Sequence, residues 1–250
     1  MKTILITGAT SGIGLATAKI FAQNNFKIII TSRKQENLDK ATSLLDNSSN
    51  VLALKFDVSN REETYKALQN LPFEFAEIDI LVNNAGNAYG LESIPEGNEQ
   101  DWDNMIDINV KGLLNVTKAL TPKMMELKKG HIINVGSLAG YEVYPNGGVY
   151  CASKYAVRAI TEGLRKDLNA YEVKVSSINP GLVETNFSNV RFNGDTEKAR
   201  KVYQGFSALQ AEDVAETIYF MATRKDHINL AEVLILPKAQ ASATMVLKNN

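Results

Sequence analysis

The sequence predicts an α/β protein: a single, doubly wound parallel sheet of about seven strands with helices on both faces. Short apolar runs alternate with amphipathic helical stretches along the whole chain, the order that yields parallel strands joined by helical crossovers. The first apolar run ends in a glycine-rich turn that opens directly into a helix. The 250 residues, 44% hydrophobic and 22% charged, suit one domain over residues 1–250, and a chain of this length buries a sizeable core without staples.

Ile4-Leu5-Ile6 is the first strand, apolar on both faces. Thr7-Gly8-Ala9-Thr10-Ser11-Gly12-Ile13-Gly14 follows. Gly8 suits a tight turn, Gly12 lets the backbone approach a pyrophosphate, and Gly14 permits close packing of helix on strand. The next helix offers its N-terminal N–H groups and dipole to phosphates, and carries Ile13, Ala16, Ile20 and Phe21 on its inner face. Lys27 to Thr31 is the second strand. Where an NAD-binding fold places an acidic residue for the ribose 2′-hydroxyl, this chain has Ser32-Arg33-Lys34. An arginine fork binds a 2′-phosphate that a carboxylate would repel, so the expected cofactor is NADP(H); the alternative is a solvated basic pair opening a helix.

Leu38, Ala41, Leu44 and Leu45 mark the second helix, and Val51 to Phe56 the third strand, ending at Asp57-Val58. Ser59-Asn60-Arg61-Glu62 reads as a capping box. Asp79 to Val82 is the fourth strand and runs into Asn83-Asn84-Ala85-Gly86, whose small residues let backbone lie close to a ligand. After a loop from Asn87 to Gly97, a helical region spans about Gln100 to Lys129, interrupted by Gly112 and Pro122 and capped at Gly130. His131 to Val135 is the fifth strand, Gly140 to Gly148 a loop, and a helix carrying Tyr150 runs to about Asn169. Val173 to Ile178 is the sixth strand, Asn186 to Gly205 a polar, irregular lid, Glu212 to Met221 a helix, and Glu232 to Leu236 the last strand.

Composition excludes several function classes. A net charge of -1 gives no basis for nucleic acid or an anionic membrane as partner. The single cysteine, Cys151, excludes an internal disulfide and fits a reducing cytosol, so the expected location is cytoplasmic. The apolar run at the N-terminus stops at Gly8, too soon for a secretory core, and no run approaches the roughly 20 residues that span a bilayer. His131 and His227 lack ligand-spaced neighbours, so no metal site is expected.

Tyr150 and Lys154 lie four residues apart, one turn along one helical face. Alone, that spacing is common by chance. Together with Gly8, Gly12 and Gly14, with Asn84, with Asn109, with Ser137 thirteen residues before Tyr150, and with Pro180-Gly181, it resembles the short-chain dehydrogenase/reductase family over essentially the whole chain. The resemblance implies a Rossmann-type sheet and a catalytic set of Asn109, Ser137, Tyr150 and Lys154. It carries Gly8, Thr10, Ser11, Gly12, Ile13, Gly14, Arg33, Lys34, Asp57, Val58, Asn84, Tyr150, Lys154, Pro180, Gly181, Val183 and Thr185 over as cofactor contacts. It further implies a homotetramer, with Trp102, Met105, Leu113, Leu114, Val116 and Leu120 as candidate apolar contacts between chains.

The chemistry follows from the residue types. Hydride transfer at a carbon bearing oxygen requires one proton to be given or taken at that oxygen. Free tyrosine, with a pKa near 10, is a weak base at neutral pH; a lysine charge and an oxidised nicotinamide would favour its phenolate. Ser137 is placed to hydrogen-bond the substrate oxygen. Cys151 points about 100° away from Tyr150 on the helix and has no assigned chemistry.

Glu184 to Phe192 resembles the substrate loop (about 184–206) of NADP-dependent 3-hydroxy-acid dehydrogenases, which act on serine, allo-threonine and related acids; Ala211 to Glu216 and His227 to Val233 resemble that subgroup as well. A small-molecule hydroxy acid or its carbonyl counterpart is the implied substrate, and Arg191 is the expected partner of its carboxylate, against the alternative of a solvated loop arginine. A broad carbonyl or diketone reductase and a dinucleotide-sensing binding protein are the competing readings.

Overall fold

Isoleucine, leucine and valine alternate from face to face along the central strands, and that alternation builds two hydrophobic cores around one sheet. In the computed structural model, which describes residues 1–45 and 50–249, the strands are β1 (Thr3–Ile6), β2 (Lys27–Ser32), β3 (Val51–Lys55), β4 (Ile80–Asn83), β5 (His131–Val135), β6 (Lys174–Pro180) and β7 (Glu232–Ile235). They are ordered β3-β2-β1-β4-β5-β6-β7, every neighbouring pair parallel. Ile4, Ile6, Ile28, Ile30 and Ile133 face one core with helix α1 (Gly12–Gln23); Leu5, Ile29, Leu81 and Ile132 face the other. Winding reverses between β1 and β4, which opens a crevice at the carboxyl ends of the strands.

The remaining helices are α2 (Gln35–Ser43), α3 (Arg61–Gln69), α4 (Glu99–Ile106), α5 (Leu113–Leu127), α6 (Gly148–Asp167), α7 (Phe187–Arg191), α8 (Thr196–Lys201) and α9 (Ala211–Ala222). On one face α9 packs Val214 and Ile218 against Phe21 of α1; on the other α5 inserts Val116 and Leu120.

Several expectations are corrected. Leu44 lies beyond the end of α2 and is 55% exposed, while Leu38, Ala41 and Leu45 are buried. The cap of α3 sits one residue later than Ser59: Asn60 Oδ1 accepts from the Glu63 N–H at 3.1 Å, while the Ser59 hydroxyl turns back to donate to Asp57 Oδ1 at 2.7 Å. The long region after residue 99 is broken by a π-helical turn, Asp107–Gly112, rather than at Pro122, which α5 accommodates. Helix α5 ends at Lys128, in a left-handed conformation (φ 47°), and not at Gly130; the N–H groups of Lys128 and Lys129 bond back to Met125 and Met124. The segment from Asn186 to Gly205, expected to be irregular, contains α7 and α8, the latter capped by Asp195 Oδ1 accepting from the Lys198 N–H at 3.0 Å. Of the apolar residues expected between chains, Met105, Leu113, Val116 and Leu120 are buried within this chain, leaving Leu114 exposed and Trp102 half-buried.

Candidate active site

A cleft of about 600 Å3 follows the carboxyl ends of β1, β2, β4, β5 and β6. Its walls include Gly8, Thr10, Ser11, Gly12, Ile13, Arg33, Lys34, Asp57, Val58, Asn84, Ser137, Tyr150, Lys154, Pro180, Gly181, Val183, Thr185 and Arg191. Two of the expected residues, Gly14 and Asn109, stand behind the wall and shape it.

The turn after β1 requires its glycines. Gly8 adopts φ 63° and Gly12 φ 51°, and a Cβ on Gly14 would lie 2.6 Å from the Gly8 carbonyl oxygen. Asn84 locks this turn from β4: its Nδ2 donates to the carbonyls of Thr7 (2.9 Å) and Gly8 (3.1 Å), and Thr7 Oγ1 accepts from the Asn84 N–H at 3.0 Å. The structural role of Asn84 is therefore explicit, and its wall position leaves it open to a ligand.

The end of the cleft next to β2 is charged. Arg33 Nη1 lies 3.7 Å from Asp57 Oδ2, and both are partly exposed. Asp57 is held from its own side by Ser59, whose N–H donates to Oδ1 at 2.9 Å.

At the other end, helix α6 brings Tyr150 and Lys154 into the wall while burying both. Lys154 Nζ donates to the Val135 carbonyl at 2.9 Å and lies 5.9 Å from the centre of the Tyr150 ring. Burial dominates the electrostatics. It pushes the Tyr150 phenol above its ordinary pKa, opposed by the neighbouring Ser137 hydroxyl, and lowers Lys154 to about 8. Ser137 Oγ accepts from the Ala139 N–H at 3.1 Å, which leaves its hydroxyl proton available to the cleft.

Asn109 owes its place to the π-helical turn. Its Oδ1 accepts from the Asn87 N–H at 2.8 Å, and its Nδ2 donates to the Asn87 carbonyl (2.8 Å) and to Ser153 Oγ (3.0 Å). Ser153 Oγ donates to the Tyr150 carbonyl at 2.7 Å, so Asn109 braces helix α6 from behind.

Arg191, on the last turn of α7, reaches into the same end. Its Nε donates to the Gly90 carbonyl and its Nη1 to the Tyr144 hydroxyl, each at 3.0 Å, and its guanidinium carbon lies 5.7 Å from the Tyr150 ring centre. Phe187 packs on Tyr150 with ring centres 5.8 Å apart. Tyr144, Asn37 and Gln240 line the cleft without having been expected there, and no motif or periodicity distinguishes them in the sequence; Phe187 lies in the Glu184 to Phe192 segment.

The family model described as short chain dehydrogenase matches residues 2–195. The chain belongs to the short-chain dehydrogenase family. Within that family, it is 44% identical over 241 residues to the NADP-dependent 3-hydroxy acid dehydrogenase YdfG of Escherichia coli strain K12, covering 96% of each chain. It is 43% identical over 241 residues to serine 3-dehydrogenase of Rhizobium radiobacter, with the same coverage. The solved closed form of serine dehydrogenase complexed with NADP+ superposes with a TM-score of 0.94 at 42% identity, over 99% of this chain and 100% of that one.

Proposed function

We propose that this short-chain dehydrogenase is an NADP(H)-dependent oxidoreductase for short 3-hydroxy acids of the serine, allo-threonine and 3-hydroxypropionate type, or their carbonyl counterparts. The observation that carries the reading is Arg191, a cation held 5.7 Å from the ring of Tyr150 in the cleft wall. A 3-hydroxy acid presents a carboxylate at short range from its reacting hydroxyl, and this pair of side chains matches that spacing of charge and chemistry. The cleft also fits the dinucleotide. The left-handed turn at Gly8 and Gly12 offers a cradle at the start of α1, and Arg33 and Lys34 supply positive charge for a 2′-phosphate at the far end.

When bound, the nicotinamide group supplies or accepts the hydride. The chain's residues do the rest. Tyr150 takes the proton of the substrate hydroxyl during oxidation and returns it during reduction. Ser137 donates to the same substrate oxygen and fixes it beside the phenol. Arg191 binds the carboxylate and so orients the reacting carbon. Lys154 holds the Tyr150 side of the wall through Val135 and brings a cation to the site, while Asn109 and Ser153 keep α6 in register. Homologues with NADP in their names support the cofactor assignment. The proposal extends to a cytoplasmic homotetramer with Leu114 at a contact between chains; light scattering on the purified protein checks the assembly.

The deciding assay follows absorbance at the nicotinamide band with NADP+ and L-serine, D-serine, the threonine isomers, 3-hydroxypropionate and neutral secondary alcohols. Turnover of the acids, lost in Tyr150→Phe, is the expected result. Turnover confined to neutral alcohols or ketones would move the enzyme to a broad carbonyl reductase, and no turnover with intact NADP+ binding would point to a dinucleotide sensor.

A further inference from the structure

The segment after β7 carries no motif, yet it folds over the cleft. Residues 239–247 form a small antiparallel hairpin, with the Ala241 N–H bonded to the Met245 carbonyl and the Leu247 N–H to the Ala239 carbonyl, at 2.9 and 2.8 Å. Ser242 Oγ builds its turn by accepting from the N–H groups of Thr244 (3.2 Å) and Met245 (3.0 Å). Two contacts fasten the hairpin: Glu142 Oε2 accepts from the Ala243 N–H at 2.7 Å, and the Gly205 carbonyl, at the end of the substrate loop, accepts from the Asn249 N–H at 2.7 Å.

Gln240 is the inward residue of this hairpin, 6% exposed, and it lines the cleft together with Ala243. Its Oε1 accepts from the Leu182 N–H at 2.8 Å, and its Nε2 donates to the Ser242 carbonyl at 3.2 Å. The amide lies flat against Gly181, where any Cβ would collide with Oε1. Gln240 and Leu236 together leave Gly181 no room for a side chain, and the Leu182 N–H has Gln240 as its partner.

We infer that Gln240 is a positioning residue for the cofactor: it fixes the Pro180–Val183 wall beside Tyr150 and thereby sets affinity at the nicotinamide end of the cleft. The inference rests on the cofactor reading above. Its signature is a selective one, because Arg33, Lys34 and Asp57 lie at the opposite end and share no contact with the hairpin.

The test compares two ligands by calorimetry: NADP+, and adenosine 2′,5′-bisphosphate, which has the 2′-phosphate but no nicotinamide. Gln240→Met keeps the volume and removes the acceptor. It should raise the Kd for NADP+ about ten-fold, the scale of one lost buried hydrogen bond, and leave the Kd for the bisphosphate unchanged. Glu142→Ala, which removes one of the hairpin's holds without touching the cleft, should act in the same direction about three-fold; it decides the matter if Gln240→Met does not fold. Equal weakening of both ligands would reduce Gln240 to a general packing role and overturn the inference, as would unchanged binding of both. Failure of the unaltered chain to bind either ligand would instead overturn the cofactor reading itself, and this inference with it.

Discussion

The guanidinium of Arg191 donates to the hydroxyl of Tyr144 at 3.0 Å, and the two side chains cross the mouth of the cleft from different elements. With Nε also held by the Gly90 carbonyl, Arg191 is oriented before any substrate arrives. Arg191→Ala should therefore raise KM for 3-hydroxy acids about 10- to 100-fold, the range for a charge-assisted bond, and spare KM for a neutral alcohol. Tyr144→Phe removes one of the two holds and should raise KM for the acids about three- to ten-fold. Steady-state kinetics on both substrate classes checks the pair; equal effects on acids and neutral alcohols would remove Arg191 from carboxylate binding.

On the proposed acid–base role, burial should shape the pH dependence of Tyr150. The phenol is favoured over the phenolate, so the reduction direction, which spends a phenol proton, should persist at neutral pH, whereas oxidation, which needs the phenolate, should rise with pH. Tyr150→Phe should lower kcat about 10^2- to 10^4-fold in both directions with an unchanged circular dichroism spectrum. A pH–rate profile that falls with rising pH for oxidation would contradict the assignment of Tyr150 as base.

Much of this architecture was legible because it depends on periodicity. Strand β5 begins and ends at the residues its apolar run indicates, and the Tyr150–Lys154 spacing alone places both on one face of α6. What was not legible depends on competition between partners. Whether Ser59 or Asn60 caps α3 turns on which way each short polar side chain points: Ser59 turns back to Asp57, and Asn60 turns forward to the Glu63 N–H. The π-helical turn at Asn109 inserts extra backbone that no hydrophobic period signals, and it forms where Asn109 finds the Asn87 backbone and Ser153. Gln240 is a polar residue in an unpatterned tail, and only the fold brings it to Leu182. The resemblance to known enzymes located Arg191; its second partner, Tyr144, is 47 residues away and appears only in three dimensions.

On the proposed reading, the end of β2 selects the cofactor. Arg33 has Asp57 as its partner at 3.7 Å, a loose and partly exposed pair that a phosphate dianion can outcompete. Arg33→Ala should weaken NADPH binding about 10- to 100-fold and change NADH binding little, narrowing the preference between them. Fluorescence titration with both nucleotides measures this. A parallel loss for NADPH and NADH would show that Arg33 does not read the 2′-phosphate.

His131 should make the fold sensitive to acid. It is buried at the start of β5, its Nε2 lies 2.8 Å from Ser176 Oγ, and that hydroxyl donates to Asn229 Oδ1 at 2.8 Å, tying the loop before β7 to the sheet. Burial, with the positive charges of Lys174 and Lys2, lowers its pKa to about 3. In the unfolded chain the same imidazole titrates near 6.5. Between these values the unfolded state binds the extra proton, so the stability owed to neutral His131 is fully present above about 6.5 and is lost as pH falls toward 3, by at most about 1.4 kcal/mol per pH unit. Urea midpoints measured between pH 7 and 5 should fall with acidification in the natural sequence. In His131→Gln, which has no proton to bind in this window, they should fall less, and an equal slope in the two proteins would assign the acid sensitivity to other groups.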